Sequence, residues 1–403
     1  MNILRRAYCR AFQTVFRIAL PLLPYREPVP LEGLGAITPL LKEKKVSAVL
    51  LVTDRSVRGL GLTAPLEEDL KAAGISCAVY DGTVPNPTIQ NVEEGRRLYL
   101  ETGAGAIIAV GGGSVMDCAK GVGARIARPG KSVRKMRGLL KVLLPTPLTI
   151  AVPTTAGTGS ETTVAAIISD SATHSKKQLL DPKLVPMFAI LDPELTVGLP
   201  KHTTAHTALD ALTHALEAYV AGYADEETDR QARIAVRLIF QYLPKVQEDP
   251  TDLEGREALL TASFFAGMAF TRTYVGYVHA FAHTIGGKFG VSHGLANAVL
   301  LPHIMRYYLP VCYKRFAELG RMLKLGMPGD SDQIKATRFV KLLYKLNRQM
   351  GIPTRFEKFP ASAIEEVIDM AFQECHGTYP VPRYFTREHA RKLMEAVCAK
   401  EEA

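Results

Sequence analysis

Between Gly33 and about Pro200 the chain alternates apolar runs rich in β-branched residues with amphipathic stretches, and this alternation leaves few folds open. The segment "SAVLLVTD" reads as a buried strand, "LEEDLKAAG" closes a helix at Gly74, and "SCAVYDG" is a second strand. "PNPTIQNVEEGRRLYLETG" begins with turn chemistry and becomes a helix, while "AIIAVGGGS" is a third strand entering a glycine turn. "LTIAVPTTAGTGSE" and "MFAILDPEL" supply further strands. Strand and helix in turn imply right-handed crossovers and a parallel sheet. After Pro200, "TALDALTHALEAYVAGY", "DRQARIAVRLIFQYL" and "REALLTASFFAGMAF" carry apolar residues at helical spacing, as does most of the chain beyond them. The expectation is an α/β domain with a parallel sheet over residues 31–200 and an all-helical domain over residues 201–403.

At 403 residues the chain can bury the cores of two or three domains. Its hydrophobic fraction of 47% and charged fraction of 22% exclude a disordered or low-complexity chain. The six cysteines include no CxxC pair, which argues against a disulfide framework or a thiolate zinc site and points to a reducing compartment, the cytoplasm. The formal charge of +9 is spread along the chain, so no nucleic-acid partner is expected. Residues 1–30 form a separate basic, amphipathic segment. Before Glu27 it carries Arg5, Arg6, Arg10, Arg17 and Arg26 and no acid; on a helix, Leu4, Tyr8, Phe12, Val15, Phe16 and Leu23 would gather opposite Arg6, Arg10 and Arg17. That pattern suits peripheral contact of residues 1–26 with an anionic membrane surface, an organellar transit peptide, or packing on the protein's own core. It does not suit a spanning helix, because "IALPLL" is far shorter than the roughly twenty apolar residues a bilayer needs.

In "AVGGGSVMDCAK", Gly111, Gly112, Gly113 and Ser114 follow a strand and precede a helix. Glycine lets backbone amides approach a phosphate closely and the helix N-terminus adds partial positive charge, so a diphosphate suits this turn. The spacing matches neither a GxGxxG fingerprint nor a P-loop, and the turn alone could be structural. A second loop, "PTTAGTGSE" from Pro153 to Glu161, also follows a strand and offers hydroxyls to a phosphate or an amide. Two such loops in one α/β half strengthen the nucleotide reading, because ligands gather beyond the carboxyl ends of parallel strands. Asp54, closing "LLVTD", could accept from a ribose hydroxyl and repel a 2′-phosphate, or it could cap the next helix.

"TALDALTHALEAY" places Asp210 and His214 at i and i+4, so both leave one face of a helix, and "HAFAHTIGG" does the same for His279 and His283. Two facing helices could offer carboxylate and imidazole to one divalent ion, with His293 arriving from the following loop. Such donors suit Fe²⁺, Zn²⁺ or related ions. Either pair alone could equally be a hydrogen-bonded surface couple. A metalloprotease HExxH site is excluded, because Ala280 stands where the glutamate would be.

Taken together, "GGGSVMD", "PTTAGTGSE", "LDALTHALEAY", "HAFAHTIGG" and "SHGLANAVLLPH" resemble the iron-containing (group III) alcohol dehydrogenases in order and spacing. With "PNPT" and "DPELTVGLP" the resemblance runs from about Leu31 to the end. It implies an α/β N-terminal dinucleotide-binding domain, an all-helical C-terminal metal-binding domain, NAD rather than NADP as cofactor, and one divalent metal, Fe²⁺ or Zn²⁺. Carried over by position, the metal ligands would be Asp210, His214, His279 and His293, and His283 would be a non-ligand histidine beside the nicotinamide and the substrate. Asp54 matches an acidic position associated with NAD preference, and Asn86 lies in a motif near the adenosine. Gly112, Gly113 and Ser114 match diphosphate contacts, with Asp117 in the same motif; Thr154, Thr155 and Thr158 match the nicotinamide half, and Lys176 or Lys177 a cofactor-contacting lysine. His206 and Ala208 depart from the Ala and Gly usual in that stretch.

The implied reaction is reversible hydride transfer between an alcohol and an aldehyde or ketone, with His283 as a candidate proton relay. A hydroxyacid-oxoacid transhydrogenase would use the same site, and polyol or sugar-phosphate enzymes of the dehydroquinate synthase-like superfamily are a further alternative. The full Asp, His, His, His set and the "HGLAN" context favour the alcohol dehydrogenase branch. A small-molecule alcohol or aldehyde is the expected partner, and a homodimer the expected assembly.

Overall fold

The structure is a computed structural model and describes residues 8–11, 13, 14, 25–172 and 175–400, without the side chains of residues 175–177. Most of the basic N-terminal segment, and the side chains of Lys176 and Lys177, therefore lie outside the described residues. By contact the chain divides into two compact units, Leu23–Leu199 with Thr251–Thr271, and Met1–Leu22 with Pro200–Pro250 and Arg272–Ala403.

In the first unit, strands β1 (Val29–Glu32), β2 (Ala48–Val52), β3 (Ser76–Tyr80), β4 (Ala106–Gly111), β6 (Leu148–Pro153) and β9 (Phe188–Leu191) form an all-parallel sheet in the order β1-β9-β6-β4-β2-β3. Period-two alternation along each strand assigns its side chains to two faces. Leu50, Val52, Ile107 and Ala109 join one core with Val92 and Tyr99 of helix α3 (Ile89–Glu101) and Val115 and Val122 of helix α4 (Gly113–Ala127). Val49, Leu51, Ile108, Val110, Ile150 and Val152 face the opposite core, with Ile37 and Leu41 of α1 (Ile37–Glu43) and Leu66 and Leu70 of α2 (Ala64–Ala72). Covering both faces explains why β4 is buried along its whole length and why its sequence is an unbroken apolar run.

Strand order determines where a ligand can sit. From β2 the chain winds outward to β3, then returns to place β4 on the other side of β2 and continues through β6 to β9. The winding thus reverses between β2 and β4, and the loops beyond their carboxyl ends carry Asp54 and the glycine turn. A second, three-stranded sheet joins β5 (Gly138–Leu139) to the antiparallel pair β7 (Ala165–Asp170) and β8 (Ser175–Leu180).

The helix α7 (Leu253–Thr273) departs from the sequence expectation, which places it with the helical half: as far as Thr271 it clusters with the α/β unit. The reason is a close backbone approach. A Cβ on Gly159 would meet the Cα of Gly267 at 2.6 Å, and one on Gly267 would meet the Gly159 carbonyl oxygen at 2.8 Å. Gly159 also has φ 59°, which itself favours glycine. Phe264 and Met268 complete the contact by packing with Ala189 of β9.

The second unit is helical. Helix α5 (Lys201–Val220) is buried at every residue from Ala208 to Val220, which marks it as the central helix. It packs with α6 (Glu226–Glu248) and with α9 (His293–Met322), and α9 packs in turn on α8 (Tyr277–Phe289) and α10 (Asp332–Gln349). Helices α11 (Ile364–Cys375) and α12 (Arg387–Val397) complete the unit, α11 lying on α8. A short described part of the N-terminal segment packs here too: Gln13 donates to the Tyr379 carbonyl at 2.7 Å and the Arg10 guanidinium lies 4.5 Å from the Tyr384 ring centroid. Among the described residues no helix is long and apolar enough to cross a membrane.

Candidate active site

In the α/β unit two loops meet at the start of α4. Gly112 is its extended N-cap without a side-chain cap, so the first backbone N–H groups of α4 remain available to an anion. Gly113 is needed for space, whereas a methyl at Gly112 would sit at ordinary contact distance. A Cβ on Gly113 would come within 2.9 Å of the Thr158 methyl carbon, and one on Gly112 within 3.5 Å of the Thr155 hydroxyl. Thr154 is buried and its N–H donates to the Gly111 carbonyl at 3.1 Å, which ties "PTTAGTGSE" to the end of β4. The Asn86 N–H donates to the Ser114 Oγ at 3.3 Å, bringing "PNPT" to the same turn, and Asn86 itself takes a left-handed φ of 56°.

Asp54 caps the one-turn helix after β2: its Oδ1 accepts the Val57 N–H at 2.9 Å, while among the described residues its Oδ2 takes no hydrogen bond from the protein. Asp117 differs. Both of its oxygens accept hydrogen bonds, Oδ1 from the Ser160 hydroxyl at 3.0 Å and Oδ2 from the Ile167 N–H at 3.0 Å, so it braces the second loop against β7. Beside it the buried Lys120 ammonium donates to Ser160, Thr163 and Ala165. Burial pulls this lysine down to about 8, against the nearby charges of Asp117 and Glu161, and pushes the carboxyl of Glu161 up to about 7.

In the helical unit, α5 supplies Asp210 and His214, α8 supplies His279 and His283, and His293 opens α9. Ligand atoms of Asp210, His279 and His293 lie within 4.8 Å of one another. His214 is held beside them, its ring stacked on that of His279 with centroids 4.5 Å apart and planes inclined by 21°. The His283 ring stacks on His293 at 5.3 Å and 18°. Three side chains organise this group. The carboxylate of Glu217, fully buried on α5, lies 2.6 Å from His279 Nδ1 and accepts the N–H groups of Gly276 and Val278 at 2.7 Å each. An acceptor at Nδ1 keeps the proton there and leaves the Nε2 lone pair facing Asp210 and His293. Burial together with the surrounding imidazoles holds His279 well below the usual histidine range, hence neutral. Asn297 of α9 directs Nδ2 at Asp210 Oδ1 (2.5 Å), and that nitrogen also lies 3.1 Å from His293 Nε2 and 3.2 Å from His279 Nε2. Finally, Glu374 of α11 lies 2.6 Å from His283 Nδ1 and accepts the Tyr379 hydroxyl.

The family described as "Iron-containing alcohol dehydrogenase" matches residues 32–193, and "Fe-containing alcohol dehydrogenase family, C-terminal" matches residues 204–398. NAD-dependent methanol dehydrogenase of Bacillus methanolicus is 36% identical over 373 residues, spanning 91% of this chain and 97% of that protein. The chain belongs to the iron-containing alcohol dehydrogenase family. Alcohol dehydrogenase 4 of Saccharomyces cerevisiae is 35% identical over 382 residues, 92% of this chain and 97% of that one. A crystal structure of 1,3-propanediol oxidoreductase matches with a TM-score of 0.88 at 33% identity, over 93% of this chain and 99% of that chain.

For an iron-containing alcohol dehydrogenase the group to test against these residues is a divalent ion, and the donors fit one. A carboxylate oxygen and two imidazole Nε2 atoms converge on a single amide NH₂, a partially positive group standing where a cation would satisfy all three. Asn297 Oδ1 is buried without a hydrogen-bond partner among the described residues, so this amide is not fully satisfied in its present pose. The departures at the edge also find a place. Ala208 is buried within α5, and the His206 carbonyl lies so near Gly294 that a Cβ there would approach it to 2.4 Å; Gly294 thereby lets the start of α9 reach α5.

Glu217, Asn297 and Glu374 are additions that the sequence reading lacks. Glu217 stands seven residues after Asp210, on the same face of one helix, and that spacing could have revealed it. Asn297 stands four after His293, again on one face. Glu374 has no such signal, since it lies on a different helix ninety-one residues from its partner.

Proposed function

We propose that the protein catalyses reversible, NAD-linked hydride transfer between a small alcohol and the corresponding aldehyde or ketone. In this reading Asp210, His279 and His293, with His214 as fourth donor, hold a divalent metal, and the α/β unit is the dinucleotide-binding part. The observation that carries it is the convergence of Asp210 Oδ1, His279 Nε2 and His293 Nε2 on one point. When bound, the ion supplies Lewis acidity toward an alcohol or carbonyl oxygen, and the nicotinamide supplies a hydride acceptor or donor.

The chain's own residues do the rest. Glu217 holds the proton on His279 Nδ1, which leaves Nε2 as the lone-pair donor. His283 holds a proton on Nδ1 against Glu374, leaving Nε2 as the atom that accepts or returns the proton of the alcohol. The backbone N–H groups at the start of α4 receive the cofactor's diphosphate, Thr154, Thr155 and Thr158 serve its nicotinamide half, and Lys176 is a further cofactor contact. Asp54 offers its second oxygen to a ribose hydroxyl and repels a 2′-phosphate, giving NAD over NADP. Asp117 acts on the cofactor through Ser160 and β7, as a brace.

The test is a panel of short alcohols and aldehydes with NAD(H) and NADP(H), on protein reconstituted separately with Fe²⁺ and with Zn²⁺. Net NADH formation from an alcohol, with no oxoacid present, is the expected result. Turnover only when an oxoacid is supplied would favour a transhydrogenase, and a preference for NADP would remove the role given to Asp54. A His283→Ala variant with full activity and an unchanged pH profile would remove the relay.

A further inference from the structure

From Cys118 to Ser160 the chain carries eight lysines and arginines and not one aspartate or glutamate. The middle of this stretch, residues 128–147, connects α4 to β6 and is pinned to the α/β unit by the buried side chains of Val133, Met136 and Val142. Between and beyond the pins, Leu139, Leu143 and Leu144 are 43%, 53% and 43% exposed, where leucines of a mere connection would turn inward or be polar. Lys135, Arg137 and Lys141 are exposed on the same segment, and none of them forms an ion pair among the described residues. Arg134 does, through two bonds to Asp170.

The backbone holds the leucines out under strain. Leu140 and Leu143 adopt φ of 54° and 59°, a region that bulky L residues avoid. The Leu144 N–H donates to the Val142 carbonyl at 2.8 Å and closes a three-residue turn centred on Leu143, in the rarer strained form. The turn is fixed from behind. Buried Asp181 accepts the N–H groups of Val142 and Leu143 at 3.0 and 2.9 Å, and the Leu180 carbonyl accepts that of Leu140 at 2.8 Å. Strained backbone that its surroundings over-determine marks a functional segment more often than a passive link.

We infer that this segment docks on an anionic lipid bilayer, with Leu139, Leu143 and Leu144 entering the interface and Lys135, Arg137 and Lys141 meeting headgroup phosphates. A rigid apolar tip flanked by unpaired cations suits that surface, since burial of leucine and attraction to negative charge act together there. Nucleic acid would leave the leucines wet. A second copy of the chain would set the same three cations against themselves.

The experiment is flotation of the full-length protein with vesicles of phosphatidylcholine alone, and of phosphatidylcholine with about a third phosphatidylglycerol. The protein floats with the anionic vesicles only, and less as salt rises. Replacing Lys135, Arg137 and Lys141 by Gln weakens partition roughly a hundredfold, at about fivefold per charge. Replacing Leu139, Leu143 and Leu144 by Ser weakens it at least tenfold and leaves the salt dependence in place. Unchanged dehydrogenase activity and melting temperature show that both variants are folded. If the leucine variant fails that control, Leu143→Gly takes its place, because it removes the side chain and relieves the left-handed strain. Equal binding by wild type and variants overturns the inference, and so does binding lost only on deletion of residues 1–26. A leucine variant that sediments as a smaller assembly also overturns it, by making the tip a subunit contact.

Discussion

The carboxylate and imidazole cluster of the helical unit and the glycine loops of the α/β unit are built from different materials. In the first, charged and polar side chains on three helices aim their atoms at one point, and their partners Glu217 and Asn297 are buried with them. In the second, the groups on offer are backbone N–H at the start of α4, and the missing side chain of Gly113 makes room for Thr158 of the neighbouring loop. The difference teaches how each fails. A lost side chain removes chemistry from the first, whereas an added methyl removes space from the second.

The largest expected effect sharpens that contrast. His279→Ala takes away one donor and leaves Glu217 facing a void; metal content falls and kcat/KM drops by about a thousandfold or more, the several kcal/mol that a Lewis acid supplies. Metal analysis with steady-state kinetics reads this, and a variant that kept both would break the comparison. Next comes Glu217→Gln, which keeps the shape and weakens the hold on His279 Nδ1. Competition with a chelator measures a metal affinity lower by about 10–100-fold, with NADH binding unchanged.

On the other side of the comparison, Gly113→Ala brings a methyl to 2.9 Å from the Thr158 Cγ2. NADH binding, followed by fluorescence titration, weakens about tenfold while metal content stays constant. Adding Thr158→Ser removes the nearest carbon and recovers part of the loss, and simple additivity of the two changes would show that space is not the issue.

The smallest effect concerns Glu161, buried behind the same loop. Its folded pKa of about 7 stands above the ordinary 4.5, so between these values the folded chain holds a proton that the unfolded chain releases. Its contribution to stability is therefore complete below the lower value and is lost as pH rises through the upper one. Relative to a Glu161→Gln variant, the melting temperature of the wild type should fall by a few degrees from about pH 4.5 to about pH 7. A constant difference across that range would mean that Glu161 is not held protonated.

Sequence is most legible here where local period and function coincide. Asp210 with His214 and His279 with His283 announce themselves because a helix places i and i+4 on one face. The parallel sheet is equally open, since β4 and its neighbours are buried on both sides and their sequences show it. The hidden features depend on contacts between residues far apart in the chain. Gly159 and Gly267 touch across more than a hundred positions, so helical periodicity in α7 reveals a helix but not its partner. The β7–β8 pair escapes a sequence reading because its first strand continues directly from the loop before it, with no break in composition. Asp117 illustrates a subtler limit: its place in a cofactor motif gives no sign that its two oxygens also brace Ser160 and Ile167.

The placement of α7 bears on how this chain is made. The α/β unit is discontinuous, since it is complete only once residues 251–271 join residues 23–199. A ribosome that has released residue 200 has released the whole parallel sheet, yet Gly159 still lacks the backbone it packs against and Ala189 still lacks Phe264 and Met268. Domains commonly fold as units during synthesis, N-terminal first, but here the first unit waits for α5 and α6 of the second to be translated. A gene fragment cut at the apparent end of the α/β segment would thus express a sheet with an open seam, and dissection of this protein has to carry residues 251–271 with the N-terminal piece.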